Sequence, residues 1–145
     1  MHAGTIDFAI GRAIQLEEGA DVTLVSTGGM LVSAMETAER LRRGGVGCRV
    51  LSMHTVKPLD EAAIVRAIEE TDLVVTLEEH NVGSGLGAAV AQVVAAHNGP
   101  RAAFRAYGLA DAPYSRVGGY AYMREMLGDL EQFVLEGLRR KRGPA

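Results

Sequence analysis

Apolar and polar positions change rhythm several times along the chain, and each change marks an element. Ile14 and Leu16 alternate with polar neighbours, and Glu17-Glu18-Gly19-Ala20-Asp21 supplies turn chemistry, which predicts a hairpin into the next strand. Residues 22–27 form a β-branched, nearly continuous apolar run, the pattern of a strand buried on both faces. Gly28-Gly29 ends it. From Met30 the period becomes helical, with Leu31, Ala34, Met35, Ala38 and Leu41 on one face, closing on Arg42-Arg43 and Gly44-Gly45. Basic residues in a last turn complement the helix dipole, and glycine suits the cap that follows.

This strand–helix unit then repeats. Residues 48–52 read as a short strand, and Asp60 as the N-cap of a helix carrying Ile64, Ala67 and Ile68. Residues 73–77 are a third apolar strand, followed by a polar, glycine-rich loop over 78–85. A small-residue helix over 87–97 places Val90, Val93 and Val94 on one face. Residues 102–107 form the next strand, and 108–119 a loop. A helix near 122–127 and a last one through Leu130, Phe133, Val134 and Leu138 follow, before a basic tail over 139–142.

Alternating strands and helices, with strands apolar on both faces, predict a three-layer α/β/α sandwich. Its sheet is mostly parallel, with about five strands and one antiparallel edge strand contributed by the first hairpin. The expected core includes Val22, Leu24, Val25, Val50, Leu51, Val74, Val75, Leu77, Val90 and Val94. We expect residues 1–145 to form one domain, with its core over about 6–140, since 145 residues fall within the usual ~100–200 for a domain.

Composition narrows the function classes. A net charge of −3 gives no long-range attraction to nucleic acid or anionic lipid, so neither partner is expected. The basic tail reads as a solvated helix end. Cys48 is the sole cysteine, so no internal disulfide can form and a reducing, cytoplasmic setting is expected. Met1-His2-Ala3-Gly4 does not open a basic-then-apolar segment, and no apolar run approaches the ~20 residues of a membrane span.

The segment Glu78-Glu79-His80-Asn81-Val82-Gly83-Ser84-Gly85-Leu86-Gly87 concentrates the candidate chemistry. Gly83, Gly85 and Ala88 fit the loose dinucleotide pattern of glycine, one residue, glycine, two residues, then glycine or alanine. Against a dinucleotide stand its position on the third strand–helix unit, the polar residues separating it from the strand, and the lack of an acidic ribose-binding residue about 20 positions on. Tight packing of a helix start against neighbouring backbone explains the glycines more simply. Glu78, Glu79 and His80 offer acid–base or metal-ligand chemistry, but adjacent residues of an extended segment face opposite ways and do not converge. No catalytic, cofactor-binding or metal residue is therefore assigned.

Several uncommon segments nevertheless occur in a telling order. They are Gly19-Ala20-Asp21-Val22-Thr23-Leu24-Val25, Val46-Gly47-Cys48-Arg49-Val50-Leu51, Thr55-Val56-Lys57-Pro58-Leu59-Asp60, Glu78-Glu79-His80-Asn81, and Gly85-Leu86-Gly87-Ala88-Ala89-Val90. Together they resemble the C-terminal domain of the transketolase family of thiamine-diphosphate enzymes, over roughly residues 6 to 140. Related domains close the deoxyxylulose-phosphate synthases and the beta subunits of 2-oxoacid dehydrogenases. One departure is Ser84-Gly85, where family members often carry two glycines before the leucine.

The resemblance implies a non-catalytic structural and assembly part of an enzyme that transfers a two-carbon ketol unit between sugar phosphates. Thiamine diphosphate and a divalent metal such as Mg are implied for the complete enzyme and none for this chain alone. The implied partners are a second copy in a homodimer, a subunit carrying the diphosphate- and pyrimidine-binding domains, or both. The assembly surface is expected at Glu79, His80, Asn81, Gly83, Gly85, Leu86 and Gly87. A bulky residue at Gly85 or Gly87 is expected to weaken association while leaving the monomer folded. The alternative from another class is an independent module binding a small anion or nucleotide through the glycine loop.

Overall fold

The computed structural model describes residues 8–99, 102–113 and 117–143. Five strands and five helices follow one another among them: β1 (Ile14–Glu17), β2 (Val22–Ser26), α1 (Met30–Arg43), β3 (Cys48–Ser52), α2 (Glu61–Glu70), β4 (Leu73–Asn81), α3 (Leu86–Ala96), β5 (Ala103–Leu109), α4 (Tyr120–Glu125) and α5 (Leu130–Arg142).

The strands form one sheet in the order β1-β3-β2-β4-β5. All pairs are parallel except β1 with β3. Strand parity assigns the layers. Val22, Leu24, Val50, Leu73, Val75 and Leu77 meet α1 and α5 on one face. Val25, Leu51, Val74 and Met53 meet α2 and α3 on the other. The three-layer sandwich with one antiparallel edge strand is therefore the observed architecture. Of the ten expected core residues, nine are buried and Val94 is half-buried.

The hairpin reading is corrected. β1 pairs not with β2 but with β3, two places away, in antiparallel register Ile14 to Ser52. Both edges of β2 are already occupied by the parallel partners β3 and β4. The connection from β1 therefore passes beneath the start of β3. Gly19 makes that crossing: a Cβ there would stand 2.3 Å from the Cys48 backbone nitrogen. Asp21 then accepts from the Gly47 N–H at 2.6 Å, fixing the crossing to the β3 entrance.

Two boundaries also move. β4 continues four residues beyond its apolar run, so Glu78 to Asn81 are strand and not loop. β5 likewise continues to Leu109, pairing with Asn81. Asp60 caps α2 as expected, accepting from Ala63 N–H at 3.0 Å. Its second oxygen accepts from Ala13 N–H at 2.8 Å and so ties the approach to β1 to the start of α2. The tail over 139–142 is the last turn of α5, and Arg142 pairs there with Asp21 and with Asp72 at 2.8 Å.

Candidate functional site at the carboxyl end of β4

From the adjacent strands β2 and β4 the chain departs in opposite directions, through α1 toward β3 and through α3 toward β5. The two helices lie on opposite faces. Such a divergence opens a crevice at the strands' carboxyl ends, the usual ligand position of doubly wound sheets. In this chain the crevice borders the segment singled out in the sequence.

Glu78 turns inward and is 2% exposed, on the same face of β4 as Val74 and Thr76. Its Oε2 accepts from Leu86 N–H at 2.8 Å and its Oε1 from Gly87 N–H at 2.7 Å. A helix start leaves its first N–H groups unpartnered and carries a partial positive charge, which favours an anion there. The anion here is the chain's own carboxylate. Gly85, the N-cap of α3, has no side chain to stand between them. The glycine spacing that resembles a dinucleotide loop thus serves an internal carboxylate, and these two amides are not open to an external phosphate.

The remaining residues divide by exposure. Glu79 and His80 are exposed, so the three neighbours Glu78, Glu79 and His80 do not converge on one point. Asn81 Oδ1 accepts from Gly83 N–H at 2.7 Å, and its Nδ2 donates to Asp111 Oδ1 at 2.9 Å. Those two bonds tie the end of β4 to the turn and to the segment after β5. Gly83 and Ser84 are exposed, Gly85 is half-buried, and Leu86 and Gly87 are buried behind the turn. A Cβ on Gly87 would stand 2.9 Å from both Ala106 Cβ and Glu78 Oε1. A bulky residue at Gly87 would therefore disturb the layer itself, which corrects the expectation of an undisturbed monomer.

Beside the turn, an open groove of about 750 Å³ runs between Val56-Lys57-Pro58-Leu59 and the Gly83–Gly85 turn. α3 forms one wall, and its sequence Leu-Gly-Ala-Ala-Val-Ala-Gln-Val-Val-Ala-Ala carries no charged side chain. Gln92, Ala95 and Ala96 face outward. A solvent-facing helix side ordinarily carries charge, so this one has the composition of a contact surface. Among the described residues no group of three or more His, Cys, Asp or Glu side chains is placed to hold a metal ion. No helix there is long and apolar enough to cross a membrane.

Fold and site together define a doubly wound α/β domain whose usual ligand end is occupied by its own glutamate and flanked by an uncharged helix. Residues 11–125 match the family model described as the transketolase C-terminal domain, and the chain belongs to that family. It is 41% identical over 122 residues to a 6-deoxy-6-sulfo-D-fructose transketolase subunit of Clostridium sp. (strain MSTE9), covering 84% of this chain and 37% of that one. It is 34% identical over 110 residues to the mitochondrial pyruvate dehydrogenase E1 component subunit beta of Dictyostelium discoideum, covering 76% of this chain and 29% of the relative. A solved split-gene transketolase, described as an inactive beta4 tetramer, superposes with a TM-score of 0.81 at 33% identity, covering 94% of this chain and 44% of that one. The chain thus spans less than half the length of each.

Proposed function

We propose that this chain is the C-terminal, non-catalytic assembly part of a transketolase-type enzyme that transfers a two-carbon ketol unit between sugar phosphates. The observation that carries the reading is the family match over residues 11–125, on a chain spanning 37% of a transketolase subunit. In the complete cytoplasmic enzyme, thiamine diphosphate would act as the electron sink for the ketol carbanion, with a divalent metal such as Mg holding its diphosphate. The described residues do not fit that group. The two α3 amides at the crevice bond to Glu78, and no carboxylate–imidazole cluster is placed for a cation. We assign cofactor and substrate binding to the diphosphate- and pyrimidine-binding domains, in the same polypeptide or in a partner subunit.

The role of this part is association, through the exposed residues Glu79 and His80 at the end of β4, Gly83 and Ser84 of the turn, and the uncharged side of α3. Gly85, Leu86 and Gly87 support that surface from behind. The tetramer formed by beta chains of the similar split-gene transketolase supports self-association as one mode. Titration calorimetry with thiamine diphosphate, followed by a ketol-transfer assay, tests the division of labour. We expect no micromolar binding and no turnover with the chain alone, and turnover once the other two domains are supplied. Micromolar binding by the chain alone overturns it.

The likeness to a pyruvate dehydrogenase beta subunit favours a second reading, in which the same domain belongs to a 2-oxoacid dehydrogenase and meets a lipoyl-bearing partner. A pull-down from the native host separates the two by the partner recovered.

A further inference from the structure

The crevice of a doubly wound sheet receives its ligand through backbone N–H groups at a helix start, and glycines let that ligand approach. All of those parts are present here, and the object they surround is Glu78. Both of its oxygens are used, one on Leu86 N–H and one on Gly87 N–H. A Cβ on Gly85 would stand 1.7 Å from Oε2, and one on Gly87 2.9 Å from Oε1. Gly108 on β5 borders the same side chain less tightly: a Cβ there would lie 2.8 Å from His80 O, 3.0 Å from Val82 Cγ1 and 3.1 Å from Glu78 Cγ. The start of α3 is therefore pared to bare backbone at two positions against one side chain.

We infer that Glu78 is the resident ligand of an oxyanion site, a carboxylate carried by the chain itself, and that it is the residue positioning the Val82–Gly85 turn. A carboxylate this buried requires partners for its charge, and the amides require an acceptor, so each holds the other in place. The turn is the connection between them. It begins four residues after Glu78 and ends at the amides that Glu78 accepts from, so its ends are closed by these two bonds. Gly85 also lines the groove beside Val56–Leu59, which gives a small carboxylate a route to the amides once the glutamate is shortened. These bonds and close approaches hold the turn whether or not the chain associates. The consequence for association rests on the assembly role proposed above.

The test uses the full chain with Glu78→Ala, followed by hydrogen exchange of the peptide spanning residues 82–87 and by sedimentation velocity. We expect exchange in that peptide to rise about tenfold or more, while the β2 and β3 peptides keep the parent's protection. Acetate should restore most of the protection, and acetamide or chloride at equal concentration should not. Unchanged exchange overturns the positioning role. Restoration by acetamide as well as acetate, or by neither, overturns the oxyanion site. Should Glu78→Ala fail to fold, Glu78→Gln carries the test. It has the same size but can accept at only one of its two terminal atoms, so the turn should exchange faster than in the parent, and parent-like exchange overturns the inference. A loosened turn with unaltered association leaves Glu78 in its role and removes the assembly reading, so the two fail separately.

Discussion

Oε2 of Glu78 lies where a side chain at residue 85 would have to begin, because a Cβ on Gly85 would stand 1.7 Å from it. Carboxylate and turn are therefore mutually exclusive with any larger residue. Gly85→Ala must push the carboxylate off Leu86 N–H or the turn off its path. We expect a loss of about 2–4 kcal/mol, from overpacking plus weakened charged hydrogen bonds. Thermal denaturation of the variant measures it, and a melting temperature equal to the parent's would show that the site yields freely.

The pH dependence of stability has a specific source at the other end of the sheet. The Gly47 N–H, and after it the hydrogen bond from Arg142, hold the Asp21 carboxyl below the usual carboxylate range; burial opposes them, and the charge of Arg142 adds a smaller lowering effect. A carboxyl depressed in the folded state stabilises fully above its unfolded value of ~4, and that contribution is lost as pH falls through the lower folded value. Asp21→Asn should therefore cost about 1 kcal/mol at pH 7, a modest figure because Arg142 is half-exposed. The gap to the parent should begin to narrow below about pH 4 and go on shrinking as the pH falls through the lower folded value. Denaturant titrations at pH 7 and at successive steps below about pH 4 decide it; a gap that does not narrow as the pH falls contradicts the assignment.

Cys48 offers a check on the core. Burial pushes its thiol up to about 12, and no thiol surface reaches solvent. At pH 8 the folded protein should leave it unmodified by a thiol reagent and release one equivalent on unfolding. Rapid modification of the folded chain would mean that the start of β3 opens.

Much of this architecture could be read from the chain, for a physical reason. β2 and β4 are buried on both faces, so runs such as Val22 to Val25 and Leu73 to Leu77 have no polar alternation to disguise them. Asp60 was legible as a cap because its side chain acts within three residues of its own position. The pairing of β1 was not, since a strand's neighbour depends on which edges remain free after the whole sheet has formed. Gly19 carried the signal of a crossing, but a glycine in a turn-like sequence is equally suited to a hairpin. Glu78 was misplaced into a loop because a charged residue after an apolar run looks like the end of a strand. Its inward turn depends on the α3 amides eight and nine residues later. The same two bonds explain why the glycine spacing resembled a nucleotide loop.

We assign assembly to the turn following β4 together with the uncharged side of α3. Ser84 is the cleanest probe of it, being exposed at the tip of the turn and apart from the Glu78 bonds. Ser84→Arg would place a charge against a surface whose helix has none, a desolvation that association cannot avoid. Sedimentation velocity of parent and variant, each checked by circular dichroism, measures this directly. We expect a parent that sediments above its 15.4 kDa monomer mass, alone or mixed with the subunit bearing the other two domains, and a folded Ser84→Arg variant that falls back to the monomer. A folded variant that associates like the parent, or a parent monomeric in both settings, would contradict it.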